Sequence, residues 1–155
     1  MKPKVYIETS FLSYLASKPS RNQITAGRQS SSRKWWDNER QKYELMVSAA
    51  GAKEIQRGDP DMAERRWSYL KEAQLFPITD RMLEIARLLV VPGAIPERAS
   101  EDAIHVAAAA VEQCEFLLTW NFKHIANVRI RREVERILLR HGYSKTTICT
   151  PDALV

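Results

Sequence analysis

The sequence predicts an α/β fold in which a parallel β-sheet is covered by helices on both faces. Short apolar segments of strand length recur along the chain, at "VYIE" (5–8), "YELMVS" (43–48), "LFPI" (75–78), "FLLTW" (116–120) and "TTICT" (146–150). Helical periods fill the intervals between them, and strands that alternate with helices build parallel sheets buried on both sides. The length, 155 residues, suits one domain spanning 1–155, because a chain of that size buries roughly 70% of its unfolded surface.

Each helical interval has its own signature. The segment 18–42 carries Ile24, Arg28, Ser31 and Trp35 on one face, although Gly27 and a run of three Ser lower its helix propensity. Trp35 and Trp36 could stack on RNA bases, yet at least one of them is expected to anchor this segment to the core. Over 62–74, Ala63, Trp67 and Leu70 recur at helical spacing behind an Asp59 cap and Pro60. Residues 79–91 place Met82, Leu83, Ile85, Ala86, Leu88 and Leu89 on a wide apolar face behind Thr79. The stretch 101–114, "EDAIHVAAAAVEQC", is apolar almost all round, the mark of a central buried helix. The last helix, 127–141, lines up Ile130, Val134, Ile137 and Leu138 and stops at Gly142.

Composition narrows the function classes. With 45% hydrophobic and 28% charged residues, the chain is that of an ordinary globular protein and not a disordered one. No apolar run approaches the ~20 residues that cross a bilayer, and the N-terminus lacks a secretory apolar segment, so a cytoplasmic protein is expected. Cys114 and Cys149 lie in apolar surroundings without a CxxC or Cys/His cluster, which argues for small core residues and against structural zinc. The net charge of +5 permits a polyanionic partner without requiring one.

The polar groups of interest gather at strand ends, where open parallel sheets place their ligands. Glu8 closes the first strand, Glu54 follows the second by one to two helical turns, Asp102 opens the Ala-rich helix, and Asn121 follows the fourth strand. Singly, each has a plain structural explanation as a helix cap or a solvated charge. Three carboxylates meeting at one edge, however, would repel one another unless a cation lay among them. Mg²⁺ or Mn²⁺, hard and oxygen-seeking, is the natural candidate, and such a site suits phosphodiester hydrolysis. Thr119 and Ser10 would stand beside it as hydrogen-bond partners. His124 could assist a leaving group or serve structure, and His105 is read as a packed, hydrogen-bonded ring. Arg129, Arg132, Arg136 and Arg140 form a row that could guide an RNA backbone, or a solvated face laced with Glu133 and Glu135.

"YIETSFLSYL", "SAAGAKEI", "EDAIHVAAAA" and "LLTWNFKHI", in that order over residues 5–125, resemble the four successive motifs of the PIN-domain nucleases, in particular the VapC-like ribonuclease toxins of toxin–antitoxin pairs. The resemblance implies a three-layer α/β/α sandwich with a parallel sheet of about five strands. It also implies a Mg²⁺- or Mn²⁺-dependent endoribonuclease acting on single-stranded RNA, an antitoxin partner and a homodimer. On this reading Glu8, Glu54 and Asp102 hold the metal, Asn121 completes the catalytic set, and Ser10, Thr119 and His124 support it. Glu8 and Asn121 stand where the family usually has Asp: Glu reaches about 1.5 Å further, and Asn brings no charge, which would weaken any second metal position. Gly51 in "AAGA" replaces a bulkier residue and would loosen the placement of Glu54. Two rival readings remain open: a PIN-like RNA- or protein-binding module with lost or weakened catalysis, and a scaffold that works only by pairing with a partner protein.

Overall fold

A computed structural model describes residues 1–91 and 93–155. Five strands, β1 (Lys4–Ile7), β2 (Glu44–Ser48), β3 (Gln74–Phe76), β4 (Phe116–Leu118) and β5 (Thr147–Cys149), form one parallel sheet in the order β3-β2-β1-β4-β5. Among the described residues, seven helices connect or follow them: α1 (Thr9–Ala16), α2 (Gln23–Asn38), α3 (Ala49–Glu54), α4 (Pro60–Tyr69), α5 (Asp80–Val90), α6 (Ser100–Val111) and α7 (Val128–Arg140).

Side chains alternate across a strand, so each strand feeds two cores. Tyr6, Met46, Leu117 and Ile148 point to the face covered by α5, α6 and α7. Val5, Ile7, Leu45, Val47 and Leu118 point to the opposite face, where Phe11, Leu12 and Leu15 of α1 and both tryptophans of α2 cover them. The result is the α/β/α sandwich. Helix α6 runs through the first core with Ala103, Val106 and Ala107 to Ala110 all buried, as its all-round apolarity requires. No helix among the described residues is long and apolar enough to cross a membrane.

Several local expectations are corrected. Helix α2 is shorter than 18–42, because Asn22 caps it by accepting the Thr25 N–H (3.0 Å) and residues 40–42 tighten into a 3₁₀ turn. One of its serines serves packing: Ser32, fully buried, donates to the Arg28 carbonyl (2.7 Å) and accepts from Trp120 Nε1 (2.8 Å). Trp35 and Trp36 are both buried, so neither offers a ring to RNA. Helix α4 stops at Tyr69, with Leu70 buried and Trp67 left 44% exposed. It rests on α1, not on the sheet, and so has little apolar surface to cover. Cys114 is buried and Cys149 half-buried; both are free thiols, with burial pushing their pKa values up to about 12 and about 11.

The chain runs from β1 outward through β2 to β3 and then crosses back to β4 on the other side of β1. The carboxyl ends of β1 and β4 therefore flank the point where strand order reverses, the place at which open α/β sheets form a crevice.

Candidate metal centre and active site

Glu8 leaves β1 at that crevice and begins α1. It is only 3% exposed, and its Oε2 accepts the Ser10 N–H at 3.0 Å, the helix-capping bond. Its other oxygen, Oε1, accepts the hydroxyls of Ser10 and of Thr119, the latter at 2.5 Å. Each hydroxyl is oriented in turn by a backbone donor, Trp120 N–H to Ser10 Oγ (2.8 Å) and Asn121 N–H to Thr119 Oγ1 (2.9 Å). Every hydrogen in this cluster has an assigned acceptor. The carboxylate is held in one orientation by donors from β1's own helix and from the strand next to it.

Glu54 ends the short α3, whose N-cap is Ser48 at the end of β2; Ser48 Oγ accepts the Gly51 N–H at 3.0 Å. Ser48 Oγ also lies 2.7 Å from Tyr6 Oη, Tyr6 Oη lies 2.6 Å from His105 Nδ1, and His105 Nε2 lies 3.2 Å from Glu54 Oε2. With Nε2 protonated, one direction satisfies all four groups: Ser48 donates to Tyr6, Tyr6 to His105, and His105 to the Glu54 carboxylate. Burial raises the Tyr6 pKa far above its ordinary value, which keeps it a neutral phenol in this chain. Burial of Glu54 opposes its charge but is outweighed by the bond and charge of His105, so its pKa is lowered. Burial of His105 opposes the imidazolium and is outweighed by the bond to Glu54 and the charges of Glu8, Glu54 and Asp102, so its pKa is raised.

Glu8, Glu54 and His105 bring one ligand atom each to within 4.8 Å of the others. The cluster combines two of the expected metal residues with a histidine assigned by sequence only to packing. Asp102 lies in the first turn of α6 near this charge, but one oxygen, Oδ2, is engaged by His124 Nδ1 at 3.0 Å. His124 Nε2 is buried without a partner among the described residues. Asn121 Oδ1 accepts the His124 N–H at 3.0 Å, so it closes the turn after β4. Arg129, Arg132, Arg136 and Arg140 are exposed on α7, and Arg136 pairs with Glu133 at 2.8 Å. That helix runs back along the sheet, so Arg140 lies about 16 Å along it from Arg129, and the row leads away from the crevice.

Gly51 has a role that sequence patterning misses. A Cβ there would meet Val47 Cγ2 at 3.1 Å, Tyr6 Oη at 3.3 Å and His105 Cε1 at 3.5 Å. The glycine lets α3 press against the Tyr6–His105 pair, so it fixes Glu54 where looseness was expected. The signals for His105 and Tyr6 were present but indirect: His105 lies one turn after Asp102, and Tyr6 precedes Glu8 by two residues in β1.

No protein-family model matches the chain, and no curated protein matches it. Solved structures do. VapC20 of Mycobacterium tuberculosis, a sarcin-ricin loop cleaving toxin, superposes with a TM-score of 0.58 over 90% of this chain and 95% of that one, at 13% identity. VapBC2 of Rickettsia felis, solved bound to a DNA fragment from its promoter, superposes with a TM-score of 0.54 over 95% of this chain and 98% of that one, at 11% identity. The chain therefore has a VapC-like PIN fold. At such identities the likeness is one of architecture.

Proposed function

We propose that this protein is a divalent-metal-dependent endoribonuclease of the VapC type, cleaving single-stranded RNA in the cytoplasm as the toxin of a toxin–antitoxin pair. The observation that carries the proposal is the convergence of Glu8, Glu54 and His105 at the crevice between β1 and β4. Two carboxylates and an imidazole, with Asp102 adding charge nearby, form a donor set suited to Mg²⁺ or, with its nitrogen, to Mn²⁺. Bound there, the ion would supply positive charge and Lewis acidity toward a phosphodiester.

The chain's own residues divide the remaining work. Ser10 and Thr119 hold the Glu8 carboxylate; with the His105 Nε2 lone pair given to a metal, the ring proton would sit on Nδ1 and be donated to Tyr6 Oη, so that Tyr6 still orients the ring, as partners of ligating groups commonly do. Asp102 keeps Oδ1 free of the His124 bond and fixes the His124 ring through Nδ1. That leaves His124 Nε2 as a proton-transfer atom beside the site. Asn121 sets the turn that presents His124. Arg129, at the crevice end of α7, and behind it Arg132, Arg136 and Arg140 offer a basic track for RNA. An antitoxin segment and a second copy of the chain are the protein partners this reading includes.

One observation favours the alternative of a catalytically weakened or inactive RNA- or protein-binding module: the fourth position is a neutral Asn whose oxygen is already committed to a backbone N–H. Cleavage of labelled single-stranded RNA in Mn²⁺, Mg²⁺ or EDTA separates the two, with Asp102→Asn run beside the wild type and thermal melts recorded with and without metal. The nuclease reading expects metal-dependent cutting that is lost in the variant. It also expects stabilisation by metal, about 2.7 kcal/mol at a hundredfold excess over the dissociation constant. A folded wild type that neither cuts nor gains stability from metal overturns it in favour of the binding module.

A further inference from the structure

Arg28 of α2 has an arrangement that the metal centre does not explain. Its guanidinium lies 5.0 Å from the ring centre of Phe122 and 5.7 Å from those of Tyr14 and Trp120, and it makes one hydrogen bond, to Tyr14 Oη at 3.0 Å. No carboxylate comes within ion-pair distance of it among the described residues. Guanidinium carries five donors, so among the described residues most of its capacity stays uncommitted. Two of the rings have structural duties: Trp120 is 7% exposed with its N–H bonded to Ser32, and Tyr14 packs edge-on against it. Phe122 has none of comparable weight. It is 43% exposed, tilted against Trp120 at 6.2 Å, and followed by the exposed Lys123, which is also unpaired among the described residues.

The cradle adjoins the metal centre through a hydrogen bond and short stretches of chain. Trp120 N–H donates to Ser10 Oγ, the hydroxyl that holds Glu8, and Tyr14 lies one turn after Ser10 on α1. Phe122 lies within the Asn121 turn, next to Asn121 itself. The Ser32–Trp120 bond clamps α2 onto that turn, which is what carries Arg28 across from a helix far away in sequence.

We propose that Arg28 and Phe122, on the base formed by Tyr14 and Trp120, grip one nucleotide of single-stranded RNA beside the metal centre. The free guanidinium donors take a phosphate, for which Arg is geometrically suited, and the exposed Phe122 face takes a base. A stacked base requires an unpaired strand, so the cradle selects single-stranded over duplex RNA. The inference deepens the nuclease reading by naming a substrate subsite, yet binding through the cradle needs no metal and is measured apart from cutting.

The test is fluorescence anisotropy of a short labelled single-stranded oligoribonucleotide in EDTA, titrated across salt concentrations, with wild type, Arg28→Gln, Arg28→Lys and Phe122→Ala. Phe122→Ala is expected to weaken binding roughly 5- to 150-fold, the range for loss of one base stack, with the salt slope unchanged. Arg28→Gln is expected to weaken binding and to make the salt slope less steep by about 0.7, the loss of one phosphate contact on a single strand. Arg28→Lys keeps the slope and recovers part of the affinity. Wild-type affinity and slope in folded Arg28→Gln and Phe122→Ala overturn the proposal, as does equal competition by duplex RNA. It is also overturned if the variants lose affinity for an acidic polyglutamate peptide and keep it for RNA, which would make the cradle a protein contact. RNA binding that depends on the cradle in a wild type that never cuts with Mn²⁺ would leave the cradle standing and remove the nuclease reading. Cutting by the wild type with unaltered variant binding would do the reverse.

Discussion

His105 Nε2 lies 3.2 Å from Glu54 Oε2, and this one contact ties the buried helix α6 to the end of α3 across 51 residues of sequence. Behind it stand Tyr6 and Ser48, both fully buried, so the histidine is fixed from both ring nitrogens.

The metal-free protein should show a two-sided dependence of stability on pH from this pair. Glu54 has a folded pKa below its ordinary 4.5, so its contribution is present above about 4.5 and is lost as pH falls through the folded value. His105 has a folded pKa above its ordinary 6.5, so its contribution is present below about 6.5 and is lost as pH rises through the folded value. The pair therefore stabilises most between those two limits. Urea denaturation in EDTA across pH should show stability falling on the alkaline side, and His105→Gln should flatten that limb. An unchanged alkaline limb in the variant would remove His105 as its source.

Two glycines in helices should respond oppositely to alanine. Gly27, inside α2, has nothing within 4 Å of its would-be Cβ, so Gly27→Ala should stabilise by about 0.5–1 kcal/mol through helix propensity. Gly51→Ala gains the same propensity but must displace Val47 and Tyr6 by a few tenths of an ångström, for an expected net loss of about 1 kcal/mol. The midpoints of denaturant unfolding measure both, and a stabilised Gly51→Ala would mean that α3 can shift without cost.

The Thr119 hydroxyl donates to Glu8 Oε1, accepts the Asn121 N–H and lies 3.2 Å from Ser10 Oγ, and Thr119 is itself fully buried. Thr119→Val keeps the shape and removes the hydroxyl, leaving a carboxylate short of a donor and a backbone N–H without an acceptor. The expected cost is about 1–3 kcal/mol, with metal affinity reduced roughly 10–100-fold. Thr119→Ser should restore most of both. Chemical denaturation and Mn²⁺ titration followed by calorimetry read the two effects separately.

Much of the fold was legible because burial writes itself into local pattern. The five strand segments all appear within a few residues of where they were expected, and the caps at Asp59, Thr79 and Gly142 hold their places. Helix α2 was harder to read, since its Ser32 and Gln29 look like loop residues until their partners are known. Gln29 is buried because its amide donates to Ser17 Oγ and the Lys18 carbonyl and accepts from Ser20 N–H, which ties down the α1–α2 connection. Those partners lie outside the helix and leave no mark on its periodicity.

The sequence by itself determined an α/β fold and the placing of Glu8, Glu54 and Asp102 near the carboxyl ends of strands, because apolar periodicity specifies each element and chain order fixes its successor. Tertiary structure alone decided which side chains meet. It joined His105 to Glu8 and Glu54, paired Asp102 with His124, turned Asn121 into a cap, and laid Arg28 over Phe122. These contacts depend on strand order and on approach distances set to within a few tenths of an ångström, such as the one Gly51 permits. They are properties of two surfaces pressed together, and neither surface encodes them separately.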